Sequence, residues 1–142
     1  MKKVLIGCTI LLSAVALQAG AATLDVCQQL ANTCLNVQDQ TGSIKIVSIS
    51  KIVPTATSGH YGARGLVPAS LGVIPLDGSC DAKNLLIGRM SVSGTNYFTH
   101  ESAYLQAADV SDSNSQLTLI DVKGHIGDDV IPPQNVSAHP CS

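Results

Sequence analysis

The chain has 142 residues, enough for one compact domain and too few for a catalytic domain with a separate regulatory domain. Charged residues make up only 13% of the sequence and the formal net charge is −2, which excludes a disordered acidic tail and a basic nucleic-acid-binding protein. With no tryptophan, one phenylalanine and three tyrosines, the chain has few aromatic platforms on which bases, flavins or sugars could stack.

Residues 1–21 have the pattern of a bacterial secretory signal peptide. Two lysines precede an apolar run over residues 4–17, which is too short for a stable membrane anchor, and small residues follow it. Cleavage after Ala21 predicts a single secreted or periplasmic domain of residues 22–142. Cys8 follows Leu-Ile-Gly as in a lipoprotein acylation site, but too few residues precede it for a full leader.

The first elements of this domain are a helix, a strand and a loop. A short amphipathic helix is predicted over residues 24–35, where apolar residues recur at helical spacing. Residues 44–53 alternate and are rich in β-branched side chains, which predicts a strand. Residues 55–65 are rich in glycine, serine and threonine, which predicts an exposed loop.

Four further strands and a second helix follow. The strands are predicted at residues 66–76, 85–92, 117–124 and 130–138. The first of these contains Pro68 and Pro75, which confine it to a sheet edge or force a bulge, and it is followed by a predicted turn at residues 77–79. Residues 97–109 place their apolar side chains largely along one side, which predicts the second helix.

The predicted order is therefore α-β-β-β-α-β-β, a mainly β fold with two helices of the α+β class. A helix between the third and fourth of five strands is the order of the OB-fold barrel. Residues 24–30, LDVCQQL, resemble the opening helix of the receptor-binding B subunits of secreted bacterial toxins of the cholera and pertussis types. Residues 103–108, running into residues 117–120, resemble the helix-then-strand passage of such subunits. The resemblance implies a small, disulfide-stapled, five-stranded OB-like barrel that assembles as a ring.

Four cysteines remain after removal of the signal peptide, namely Cys27, Cys34, Cys80 and Cys141. An even number in a small exported chain predicts two disulfides. In a helix Cys27 and Cys34 would lie about 10 Å apart, beyond the roughly 7 Å that a disulfide tolerates. We therefore expect one of them to pair with Cys80 and the other with Cys141. A Cys27–Cys34 disulfide across a non-helical turn is the alternative.

The candidate binding residues are Tyr61, Arg64 and His60, which lie between glycines in the predicted loop. Tyrosine and arginine on a mobile loop are good recognition groups. We expect no metal and no cofactor, because the four histidines lack the spacing of a metal motif and no CxxC pair occurs. The acidic pair Asp128-Asp129 is interpreted as a plain strand connection rather than a calcium loop.

We do not expect an enzyme. The sequence contains no GxSxG motif, and His100 and Glu101 would point apart as neighbours on a helix. The first hypothesis is a secreted, non-enzymatic protein that binds a host glycan or protein as a ring-forming, homo-oligomeric toxin B-like subunit. The alternative is a periplasmic inhibitor or accessory protein that acts as a monomer or dimer. Neither hypothesis includes a nucleic-acid partner or a stable membrane anchor.

Overall fold

The computed structural model describes residues 24–141, so the predicted signal peptide and Cys8 lie outside the described residues. Within this range the chain forms one short helix, α1 (Val26–Gln29), and eight strands. The strands are β1 (Thr33–Gln38), β2 (Ile44–Pro54), β3 (His60–Pro68), β4 (Val73–Ala82), β5 (Ile87–Thr95), β6 (Ser102–Ser113), β7 (Gln116–Ile126) and β8 (Asp129–Pro140). Each strand pairs antiparallel with the next, and β8 pairs with β1, which closes the sheet into a barrel.

Alternating side chains build the barrel, with one face of each strand buried and the other in solvent. In β5, for example, Met90 and Val92 are buried while Arg89 is exposed. The interior is filled by aliphatic side chains, and among the described residues no aromatic ring is fully buried. Eight strands enclose a space that side chains of this size can fill.

Glycines allow neighbouring strands to approach closely where the wall curves. A Cβ added at Gly78 in β4 would lie 1.9 Å from the carbonyl oxygen of Ser91. A Cβ added at Gly94 in β5 would lie 1.8 Å from the carbonyl oxygen of Pro75. Both distances are far inside van der Waals contact, so only glycine fits these crossings without a shift of the backbone.

Helix α1 covers one end of the barrel, which we call the capped end; the opposite end we call the far end. Asp25 accepts a hydrogen bond from the Gln28 backbone N–H, and the Gln28 side chain accepts one from the Asp25 N–H, which is a capping box. Val26, Cys27 and Leu30 are fully buried against the barrel. Within residues 24–141 no helix has the length and apolar character to cross a membrane.

Two disulfides staple the barrel, as the cysteine count predicts. Cys27–Cys80 joins α1 to β4, and Cys34–Cys141 joins β1 to the chain beyond β8. The outward pairing is the expected one, but the helical distance used to derive it is wrong, because Cys34 lies in β1 rather than in a helix.

The predicted five-stranded α+β fold is wrong, and so is the second helix at residues 97–109. Residues 102–113 form β6, where Ala103, Leu105 and Ala107 alternate into the interior. The alanines suit a helix by propensity, but pairing with a strand on each side decides the structure here. The element order on which the resemblance to toxin B subunits rested is therefore not the order of this chain.

The N-terminal half also departs from the prediction. The helix predicted at residues 24–35 ends after one turn, and the turn predicted at residues 77–79 lies inside β4. A loop is predicted at residues 55–65, but β3 begins at His60, so about half of this segment is strand. The strand predicted at residues 66–76 includes the turn that separates β3 from β4. The strands predicted at residues 44–53, 117–124 and 130–138 correspond to β2, β7 and β8, and the one at residues 85–92 overlaps β5.

Candidate binding site

The outer face of β3, β4, β5 and β6 carries polar side chains in three rows that run across the strands. The antiparallel registers set these rows, since directly paired residues point to the same side of a sheet. The first row is Arg64, Asp77, Ser93 and Tyr104; the middle row is Gly62, Ser79, Ser91 and Gln106; the third row is His60, Asp81 and Arg89.

The middle row is lower than the rows on either side. Gly62, Ser79 and Ser91 have short side chains, whereas the flanking rows carry arginines, aspartates and a tyrosine. An open depression of about 490 Å³ lies along the middle and third rows and is lined by Ser79, Asp81, Arg89, Met90, Ser91, Gln106, Ala107 and Ala108. We call this depression the polar trough. A second hollow of about 470 Å³, which shares Asp81 and Arg89 with it, adjoins the polar trough toward the capped end.

Asp81 organises one wall of the polar trough. One of its carboxylate oxygens lies 2.6 Å from His60 Nδ1, and the other lies 3.6 Å from Arg89 Nε. The carboxylate thereby orients both neighbouring side chains. The Arg89 side chain remains 74% exposed, so most of its N–H donors are available to a ligand.

On the side of the first row, Tyr104 contacts Gln106, which lines the polar trough. The Tyr104 hydroxyl donates a hydrogen bond to Gln106 Oε1, which fixes the position of the Gln106 amide. Tyr104 is 37% exposed and offers part of its ring to solvent. Arg64 and Asp77, paired across β3 and β4, lie in the same row as Tyr104.

Two of the three residues predicted as binding groups lie on the outer face of β3, about 13 Å apart at the rise of a strand. His60 contacts Asp81 and borders the second hollow, whereas Arg64 lines neither of the two hollows. Both residues lie on a strand rather than on the mobile loop that the sequence predicts.

Tyr61 faces the other way. Its hydroxyl donates a hydrogen bond of 2.5 Å to Asp25 Oδ2 beneath α1. This hydrogen bond and partial burial raise the pKa of Tyr61 to about 12. The contacts of Tyr61 are therefore with the cap of α1, and its role in binding stays a prediction.

Sequence reasoning missed most of the polar trough, including Asp81, Arg89 and Gln106. The available signal was the alternation of Asp77, Ser79 and Asp81 with buried neighbours in β4. That pattern indicates an exposed polar strand face. It does not reveal which residues of other strands lie beside it, because the register is a property of the folded sheet.

Metal ligation is not indicated by the described side chains. Within residues 24–141 no group of three or more histidine, cysteine, aspartate or glutamate residues is placed to hold a metal ion. In the acidic pair at residues 128–129, Asp129 forms an ion pair with Lys45, with 2.9 Å between the carboxylate oxygen and the ammonium nitrogen. This ion pair, through its hydrogen bond, raises the pKa of Lys45.

Comparison of the chain with protein-family models, curated proteins and solved structures finds no match. The class of molecule is thus defined by the fold alone, a closed eight-stranded antiparallel barrel with a polar trough on its wall. The polar trough is therefore the feature of this barrel whose chemistry points to a function.

That chemistry combines donors and acceptors at short intervals. Arginine and imidazole nitrogens donate, aspartate oxygens accept, and serine hydroxyls and the Gln106 amide do both. Among the row residues the two arginines balance the two aspartates, so the face has no large excess of either charge. Such a surface favours an uncharged ligand with many hydroxyl groups over a polyanion or a polycation.

Proposed function

We propose that the chain is a secreted, non-enzymatic binding protein that recognises a glycan through the polar trough. The observation that carries the proposal is the placement of the donors and acceptors of Asp81, Arg89 and Gln106 around the short side chains of Ser79 and Ser91. Each sugar hydroxyl both donates and accepts, and it is matched by a face that offers both kinds of group. The volume of about 490 Å³ falls in the ordinary range of small-ligand sites.

The short serine side chains and the tyrosine ring support a sugar as the ligand. With Ser79 and Ser91 lining the polar trough, the flat body of a pyranose can approach the sheet closely. Tyr104, which contacts the lining residue Gln106, supplies a partly exposed ring next to the polar trough against which the apolar face of a sugar can pack.

The rigidity of this face supports binding without a large conformational change. The residues that line the polar trough lie on paired strands rather than on loops. Cys80, between Ser79 and Asp81 in β4, is fully buried and bonded to Cys27. A preorganised site loses less entropy when the ligand binds. Two disulfides are also compatible with an extracellular or periplasmic location.

The proposal is tested by screening the exported protein on an array of immobilised oligosaccharides. A Ser91→Phe variant fills the polar trough from the outer face of β5, where a bulky side chain does not disturb the core. Ser137→Phe is the matched control, since it adds the same ring at an exposed position of β8.

We expect the wild type and the Ser137→Phe control to bind the same oligosaccharides, and Ser91→Phe to lose them. Arg89→Ala should weaken binding by about tenfold or more, because a hydrogen bond to a charged group contributes about 1.5–3 kcal/mol and about 1.4 kcal/mol is a factor of ten. Retention of binding by Ser91→Phe, or no binding by the wild type to any oligosaccharide, would contradict the proposal.

A further inference from the structure

Two neighbouring loops at the far end expose a compact set of apolar side chains. The loop over residues 69–72 joins β3 to β4, and the loop over residues 96–101 joins β5 to β6. Leu71, Tyr97 and Phe98 project from them, with exposed fractions of 69%, 84% and 94%. We call these three residues the apolar tip. The single phenylalanine of the chain is thus almost completely exposed.

Hydrogen bonds hold the apolar tip in place. Asn96 joins its loop to the first residue of β4, since its Nδ2 donates to the carbonyl oxygen of Val73 at 2.7 Å. Glu101 joins the two loops directly, because its carboxylate accepts from the Leu71 N–H and the Ser70 hydroxyl, each at 3.0 Å. Asn96 Oδ1 also accepts from the Phe98 N–H at 2.9 Å, which fixes the turn. The exposure of the aromatic rings is therefore built into the loops.

The size and charge of the apolar tip decide what it can dock against. Two aromatic side chains and a leucine offer about 500 Å², whereas a stable protein interface needs about 800 Å² from each partner. A lipid surface needs no matching patch, and aromatic side chains favour the boundary between headgroups and acyl chains. The two loops contain no lysine or arginine, and the Glu101 carboxylate is occupied by the loop hydrogen bonds.

We infer that the apolar tip docks the barrel end-on against an uncharged lipid bilayer surface. This contact is independent of the polar trough, which lies on the barrel wall and stays accessible when the far end meets the bilayer. Insertion of a few side chains gives a reversible, peripheral association rather than an anchor. The protein would then present its wall to ligands close to a membrane.

The test measures flotation of the exported protein with vesicles of pure phosphatidylcholine. The tip variant is Tyr97→Ser with Phe98→Ser, in an exposed turn whose backbone hydrogen bonds do not depend on these side chains. The matched control is Leu85→Ser with Leu86→Ser, because these residues are 52% and 56% exposed at the capped end. Both variants lose two exposed apolar side chains.

We expect the wild type and the control to float with the vesicles, and the tip variant to partition at least about tenfold less. Equal loss in both variants would overturn the inference, since the effect would then follow general hydrophobicity. Two results with the wild type would also overturn the inference, namely no flotation at all and flotation only with vesicles that contain phosphatidylglycerol. Self-association of the protein through the apolar tip, without binding to vesicles, would overturn it as well.

Discussion

Replacement of Tyr61 by phenylalanine tests how α1 is held on the barrel. The substitution keeps the ring and removes only the hydroxyl, which donates to the buried carboxylate of Asp25. A hydrogen bond to a charged group contributes about 1.5–3 kcal/mol. We therefore expect the free energy of unfolding of Tyr61→Phe to fall by about 2 kcal/mol at neutral pH, as measured by urea denaturation.

The same contact predicts a specific dependence on alkaline pH. The pKa of Tyr61 is raised from 10.0 to about 12, first because the hydroxyl donates to Asp25 and then because it is partly buried. The folded state thus holds this proton more tightly than the unfolded state does. Its contribution to stability is complete below pH 10 and is lost as the pH rises from 10 through about 12. Tyr61→Phe should lack this part of the alkaline loss.

Two measurements check this account. Absorbance of tyrosinate should show a late ionisation step in the wild type that is missing in Tyr61→Phe. A phenylalanine variant as stable as the wild type would refute the role of the hydrogen bond. Oligosaccharide binding should be unchanged in Tyr61→Phe; a variant that stays folded but no longer binds would return Tyr61 to the ligand site.

Three further predictions concern the barrel itself. A hydrogen bond from Thr41 lowers the pKa of Asp39, so ionised Asp39 stabilises the fold above its ordinary pKa and this stabilisation is lost as the pH falls. Urea denaturation of Asp39→Asn should therefore show a smaller loss of unfolding free energy in acid than the wild type shows. The same acid dependence in both proteins would contradict this. Loss of the Cys27–Cys80 disulfide, which spans 53 residues, should cost about 4 kcal/mol in the double alanine variant on the chain-entropy model; equal melting temperatures of variant and wild type would refute it. Gly78→Ala should lower the melting temperature far more than Gly62→Ala. The added Cβ would lie 1.9 Å from a backbone oxygen at Gly78 but 3.9 Å from one at Gly62. Similar decreases of the melting temperature in both variants would argue against the close strand crossing.

Local patterns predicted those strands whose signal is carried by their own residues. Residues 44–53 alternate and are β-branched, and they form most of β2. The helix prediction at residues 97–109 is wrong because it follows the high helix propensity of the alanines within residues 103–108. The burial of alternate residues in β6 has the period of a strand. The turn predicted around Gly78 is also wrong, because this glycine lies inside β4, where the next strand crosses closely.

The polar trough was only partly accessible to sequence reasoning. The chemical type and glycine-rich surroundings of His60 and Arg64 predict a binding role for both; His60 contacts the lining residue Asp81, whereas Arg64 lies in the first row, outside the polar trough. The same features predict a binding role for Tyr61, but the alternation of a strand turns it toward α1. Asp81 and Arg89 gain their significance only from the register that places them side by side, and the turn that sets this register lies at residues 83–86, whereas the sequence predicts a turn at residues 77–79.

The most direct test of glycan binding at the polar trough is an amide chemical-shift map of the exported protein. The isotope-labelled protein is titrated with the oligosaccharide that gives the strongest signal on the array. The account predicts that the perturbed amides cluster on β4, β5 and β6 around Ser79, Ser91 and Gln106. Perturbations confined to the capped end, the apolar tip or the wall around β8 would contradict it, as would the absence of any perturbation.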